Sequence, residues 1–387
     1  MPYDYSEVAR QIAATLGQAQ TAHTTRAEAA QDAGEIYLAT DDTEWQTRIE
    51  AVQSRRLLGV PRTPLHEFTP GEPADPDYTV IATDSSFVAP DKHRGSYCYL
   101  INVGRVMIQY GEESAAELDS TATHCIDPPL DGAEWSATGP LLQAECALQE
   151  LTELHRWAEQ FGADLALFDG SLMQLSLALA RDPKVAQIVA AYGAVLADFE
   201  RIGVPVVGYV SKPASQAVMR VARVLACRAA GEGAAQRVAP CETRCSRTEC
   251  SGLWTLDDSG LFWELLDVGV RSPVFQNYSP YSSSGGQRSL DFWDTMGFCY
   301  LATPYEVARL EFPLWVEQAD LLDRTQRIVL SQCALGDGYP KALTLADNFA
   351  VLRAADRASY FYLLEQAGLL APPSEKARGK RGMGRRI

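Results

Sequence analysis

Leu165-Ala-Leu-Phe-Asp169-Gly-Ser-Leu172 is the stretch on which the fold of this chain turns. Four apolar residues run unbroken to an aspartate, and a glycine and a serine then open a turn. A short apolar run bounded by turn residues reads as a buried strand. Asp169 therefore stands at the C-terminal end of that strand. A second stretch has the same form: Tyr78-Thr-Val-Ile-Ala-Thr-Asp84 is β-branched up to its aspartate, and Ser85 and Ser86 follow. Small residues after each Asp keep such a site open. Neighbouring strands lie roughly 4.8 Å apart, so carboxylates at two strand ends can share one cation. Hard oxygen donors of this kind suit Mg²⁺ or Mn²⁺. Taken alone, each Asp reads as the cap of a following helix, and spacing by itself leaves both readings open.

Between the two aspartates, Leu141 to Phe161 carries a helical apolar stripe through Leu148, Leu151, His155 and Ala158. Gly162 stops it. A third acid is expected from this helix. Glu145 lies at the edge of the stripe, near Leu141 and Leu148, whereas Glu150 lies more to the outside. Glu145 is thus the better inward-facing candidate, and a solvated helix carboxylate is the alternative for either. Val204 to Val210 reads as another strand, and Lys212 follows it, where a lysine can contact a phosphate or stabilise developing charge. Tyr97–Val103 and Val106–Tyr110 read as a hairpin about Gly104-Arg105. Phe298–Leu301 and Glu306–Phe312 resemble an antiparallel pair. A long helical stretch is expected after Asp169, running to Arg201, and further helices at about 216–228, 319–333, 343–353 and 356–366. Strands and helices interleave, which makes this an α/β chain with a mixed sheet.

Residues 1–60 form a helical N-terminal region, and five prolines from Pro61 to Pro76 mark a linker over 61–77. The main domain spans 78–370, with a Cys-containing insertion at 227–258. The basic, Gly-rich tail 371–387 is expected to be disordered. No window approaches eighteen uninterrupted apolar residues, so no membrane span is expected. Met1 to Gln20 lacks the apolar core of a signal peptide. Nine cysteines, an odd number, argue against a secreted disulfide framework and for the cytoplasm. A net charge of −16 argues against tight, unassisted nucleic-acid binding, although an acidic metal cluster adds negative charge that its metal neutralises.

Cys227, Cys241, Cys245 and Cys250 lie close together in the insertion. Four thiolates in a Gly- and Pro-interrupted segment can hold Zn²⁺ or an iron–sulfur cluster, and free, redox-labile thiols are the alternative. A metal- or redox-sensing module built on this cluster is a rival reading of the chain. Cys98, Cys146, Cys299 and Cys333 sit in apolar contexts and read as core.

Several segments, in order along the chain, resemble the NurA nucleases over roughly residues 78–370. They are Ile81-Ala-Thr-Asp84-Ser-Ser-Phe87, Leu167-Phe-Asp169-Gly-Ser-Leu172, Gly208-Tyr-Val-Ser-Lys212, and Gly269-Val-Arg-Ser272-Pro-Val-Phe275. Arg309-Leu-Glu311-Phe-Pro313-Leu-Trp315 and Gly338-Tyr339-Pro340 follow, the latter leading into Ala346-Asp347-Asn348. The resemblance implies an RNase H-like core, Mn²⁺-dependent DNA cleavage, and a homodimer that docks on the hexameric HerA translocase in DNA end resection. By position, Asp84, a helix Glu (Glu145 or Glu150) and Asp169 would be metal ligands. Two departures stand out: Ser85 replaces the family's usual Gly, and Asp347 stands where the family commonly has His. Asp can ligate the same metals and leans towards Mg²⁺. The Asp347 exchange also fits a structural subunit with a weakened site.

Overall fold

The computed structural model describes residues 4–51, 57–91, 96–126, 139–174, 177, 182–226, 252–278 and 294–370. In chain order the elements begin with α1 (Tyr5–Ala39), α2 (Asp42–Ala51), β1 (Leu58–Pro61) and β2 (Thr69–Pro70). Then come β3 (Thr79–Val88), β4 (Cys98–Gln109), β5 (Ala115–Ile126), α3 (Gly139–Phe161) and β6 (Leu165–Asp169). Next are α4 (Pro183–Ile202), β7 (Val206–Val210), α5 (Ala217–Ala226) and α6 (Asp258–Leu265). Strands β8 (Val270–Arg271), β9 (Phe275–Tyr278), β10 (Met296–Ala302) and β11 (Val307–Pro313) follow. The chain closes with α7 (Trp315–Gln318), α8 (Leu322–Leu335), α9 (Lys341–Ala350) and α10 (Ala354–Gln366). Among the described residues no helix is long and apolar enough to cross a membrane.

The chain divides into two compact units. The first comprises Met1–Gly71, Val210–Arg288 and Met296–Leu310. Its strands run in the order β1-β9-β10-β11, with β8 pairing both β2 and β10. In it α1 buries Ala29, Ala30, Ala33 and Tyr37, and the Tyr37 hydroxyl donates to Leu65 O at 2.6 Å. Asp258, fully buried, accepts from Ser215 Oγ, the Met219 N–H and the Tyr300 hydroxyl at 2.7–2.9 Å. Three donors offset the cost of burying those polar atoms.

The second unit comprises Glu72–Tyr209, Ser289–Thr295 and Glu311–Ile387. Its strands run in the order β7-β6-β3-β4-β5. Strands β3, β4 and β5 form an antiparallel meander, and β6 and β7 add in parallel on the other side of β3. This mixed sheet, with helices on both faces, is the RNase H-like arrangement that the family resemblance implies. The faces follow from strand alternation. Ser85 on β3 turns to α3 and donates to Glu150 Oε2 at 2.9 Å. Ser86 turns the other way and donates to Ala350 O on α9. On the α3 face, Tyr99, Ile101 and Val103 pack against Leu142 and Cys146. On the other, Val88 and Cys98 pack against Tyr360, Phe361 and Leu364 of α10. Burying one such large apolar side chain stabilises by about 1.5–3 kcal/mol.

One local expectation is overturned. Gly104-Arg105 is not a hairpin turn: β4 runs straight through it, paired to β3 and β5 on either side. Gly104 is there because α9 crosses at that point. A Cβ on Gly104 would lie 2.3 Å from Ala346 O and 2.5 Å from Ala350 N. A glycine inside a strand marks a close backbone approach. Cys98, Cys146, Cys299 and Cys333 are buried and outside any disulfide, as their apolar contexts imply. Cys227, Cys241, Cys245, Cys250 and the basic tail lie outside the described residues.

Candidate active site

The second unit's sheet has a notch. Thr83 on β3 pairs with Phe168 on β6, so Asp84 and Asp169 stand at the same level on adjacent parallel strands. There β6 ends, whereas β3 continues to Val88. The exit turn needs Gly170, whose φ is +90°, a conformation that a side chain would strain. Gly208 on β7 leaves room for that turn, since a Cβ there would lie 2.6 Å from Gly170 O.

Two further acids reach the notch, one from each face. Glu150 comes from α3. It is only 5% exposed, and the neighbouring Thr83 hydroxyl donates to its backbone O at 3.3 Å. Its Oε2 takes the Ser85 hydroxyl, while its Oε1 is sealed from solvent without a hydrogen bond. An unsatisfied buried acceptor costs about 1–3 kcal/mol, and more when charged. Asp347 comes from α9, which is fixed over Gly104 by Asn102 Nδ2 donating to Phe349 O and Ala350 O at 3.0 and 2.9 Å. Asp347 is exposed, and its charge acts on both Asp84 and Asp169.

The carboxyls perturb one another as close like charges do. Burial, the Asp169 charge and then Asp347 push the Asp84 carboxyl up to about 7. Burial and the Asp84 charge hold Glu150 well above the usual carboxylate range. Asp169 is raised by burial and by Asp347, against the Tyr339 hydroxyl, which donates to its Oδ1 at 2.8 Å. Tyr339 is itself held edge-on to Tyr209, ring centroids 5.2 Å apart. Among the described residues no group of three or more His, Cys, Asp or Glu side chains is arranged to hold a metal ion. The four carboxyls are instead gathered neighbours, arriving from opposite faces of the sheet. An orphaned buried oxygen and mutual repulsion are what a divalent cation relieves, and an all-oxygen donor set fits Mg²⁺ or Mn²⁺.

The choice between the two helix glutamates is reversed. Glu145 accepts the Tyr99 hydroxyl and lies beside Cys125 and Cys146, whereas Glu150 faces Asp84 and Asp169. A single apolar stripe does not describe α3, because this helix is buried against both the sheet and α4. Leu141 and Ala144 pack with Val185 and Val189 of α4, while Leu142 and Cys146 pack on β4. Glu150 is spaced by four from buried Cys146 and Leu154 and by seven from buried Trp157, and that spacing is the signal that finds it. Lys212 belongs to the first unit, where its N–H donates to Glu306 Oε2 at 3.0 Å with φ +42°. The sequence singles out neither Tyr339 nor Glu311 as a site residue, and Ser85 only as a small residue that keeps the site open. Glu311 is buried and accepts the Ser171 hydroxyl at 2.7 Å.

The NurA domain family model matches residues 78–352, well over half of the chain, and that stretch contains all four acids. The match defines the protein by class as a nuclease. The chain belongs to the NurA family. It is similar to the crystal structure of NurA with manganese, at 9% identity over 77% of this chain and 91% of that one, with a TM-score of 0.42. It is also similar to NurA bound to dAMP and manganese, at 11% identity over 78% and 90%, TM-score 0.38. Endonuclease V from Bacillus subtilis is similar at 13% identity over 77% and 88%, TM-score 0.32. No curated protein sequence matches the chain.

Proposed function

We propose that the chain is a divalent-metal-dependent deoxyribonuclease in which Asp84, Glu150 and Asp169 hold Mn²⁺ or Mg²⁺, with Asp347 as a further ligand. The single observation that carries this reading is Glu150 Oε1, buried and unbonded beside two other carboxyls. A buried carboxylate oxygen without a hydrogen bond, set beside like charges, suits an ion-binding role. Held by these carboxyls, a divalent ion would supply Lewis-acid chemistry for phosphodiester hydrolysis, lowering the pKa of a water and neutralising phosphate charge. The protein's own work is positional. Ser85 fixes one oxygen of Glu150, and Tyr339 fixes one oxygen of Asp169. Asn102 and Ser86 hold the end of α9 from which Asp347 reaches Asp84.

Family membership supports a finer reading: a 5′-to-3′ exonuclease and/or single-strand endonuclease acting in double-strand break end resection. Its partner is a HerA-type hexameric translocase, and the nuclease acts as a homodimer. The net charge of −16 fits that assignment, because an acidic enzyme binds free DNA weakly and gains from a motor that feeds it. The test is release of labelled nucleotides from DNA with Mn²⁺ or Mg²⁺, with and without the translocase. Activity that disappears in Glu150→Gln and Asp169→Asn supports the enzyme. Absence of metal-dependent cleavage even with the motor present would leave a structural subunit.

A further inference from the structure

The loop leaving Asp169 is held at more points than a connection requires. Gly170 donates its N–H to Tyr209 O at 3.0 Å. Gln174 takes φ +43°, uncommon for a residue with a side chain, and its Nε2 donates to Ser171 O at 2.8 Å. One carboxylate reaches into this loop. Glu311, on the part of β11 that belongs to the second unit, is 3% exposed. Its Oε2 accepts both the Ser171 hydroxyl at 2.7 Å and the Met173 N–H at 3.1 Å. Both donors belong to the loop that begins at Asp169.

We infer that Glu311 is a positioning residue of the metal site. By gripping Ser171 and Met173 it fixes the exit turn of β6, and with it the direction in which the Asp169 carboxyl meets Asp84 and Glu150. It acts through Asp169 rather than on the cation, as outer partners of metal ligands do. The inference rests on the proposed role of Asp169 as a ligand.

The test is calorimetric titration of Mn²⁺ into the chelator-treated full chain, with thermal melts to report folding. Asp169→Asn tests the metal reading itself and is expected to abolish binding. Glu311→Ala is expected to weaken binding about tenfold or more, the range for outer-shell partners. Ser171→Ala, which removes only the hydroxyl, is expected to weaken it by less. Glu311→Gln keeps an acceptor oxygen for both donors and is expected to stay near wild type. If Asp169→Asn abolishes binding while Glu311→Ala and Ser171→Ala bind as wild type, the positioning role is overturned and the metal reading stands. If Glu311→Gln is as weak as Glu311→Ala, charge rather than hydrogen bonding matters, and that also overturns it. If Glu311→Ala fails to fold, Ser171→Ala decides, and wild-type affinity there rejects the inference. Wild-type binding in Asp169→Asn removes the metal reading and this inference with it.

Discussion

Gly104 stands directly across from Asp84 in the β3–β4 ladder, and its missing side chain is what lets α9 bring Asp347 to the notch. A Cβ at that position would meet Ala346 O at 2.3 Å and Phe349 C at 2.9 Å. Both are backbone atoms, which cannot turn aside as the end of a side chain can. Gly104→Ala therefore has to lift the helix. The expected cost is about 1–3 kcal/mol, the usual range for overpacking, read as a lowered urea midpoint. Because the displaced element carries Asp347, metal affinity is expected to fall together with stability.

The metal-free protein should lose stability as pH rises. Asp84, Glu150 and Asp169 are all raised above their ordinary values by burial and mutual repulsion. A carboxyl whose folded value is raised binds protons more readily in the native state than in the unfolded chain. Its contribution is thus fully present below the unfolded value near 4, and is lost as pH climbs through the folded one. For Asp84 that limit is about 7. Melting temperatures in chelator are expected to fall between pH 5 and pH 8, and Asp84→Asn is expected to flatten the decline. A melting temperature that rises over that interval would contradict the electrostatics of the cluster.

Tyr339→Phe should separate site from scaffold. The ring packs on Tyr209 with or without its hydroxyl, so the melting temperature is expected to change little. The bond to Asp169 Oδ1 is lost. Mn²⁺ affinity is expected to drop about tenfold, the lower end for loss of an outer-shell partner, measured by calorimetry.

Asp347→Asn should move stability and metal binding in opposite directions. Removing this charge relieves Asp84 and Asp169, both of which it raises. The chelated protein is expected to melt higher at pH 8 and to bind Mn²⁺ more weakly. Asp347→His, the residue common in the family at this place, is expected to retain binding.

Much of this site was legible locally. Asp84 and Asp169 each end an apolar run followed by small residues, and that pattern is complete within eight residues. Glu150 was misjudged because a helix clamped between a sheet and a second helix has two buried sides, so a lone apolar stripe describes only half of its environment. Gly104 was read as a turn because a glycine's two uses, bending a chain and admitting a neighbour, look alike until the neighbour is known. Strand β5 was missed altogether: nearly all its residues are exposed, so no alternation marks it. Tyr339 and Glu311 were out of reach for another reason. Their partners Asp169 and Ser171 lie 170 and 140 residues away in sequence, and nothing in either segment names the other.

The most direct test of the account is a Mn²⁺-soaked crystal measured at the manganese absorption edge. An anomalous peak bonded to oxygens of Asp84, Glu150 and Asp169, and absent from Asp169→Asn crystals, is the predicted result. A protein that cleaves DNA with Mn²⁺ while this notch holds no peak, or whose peak lies on other residues, would contradict it.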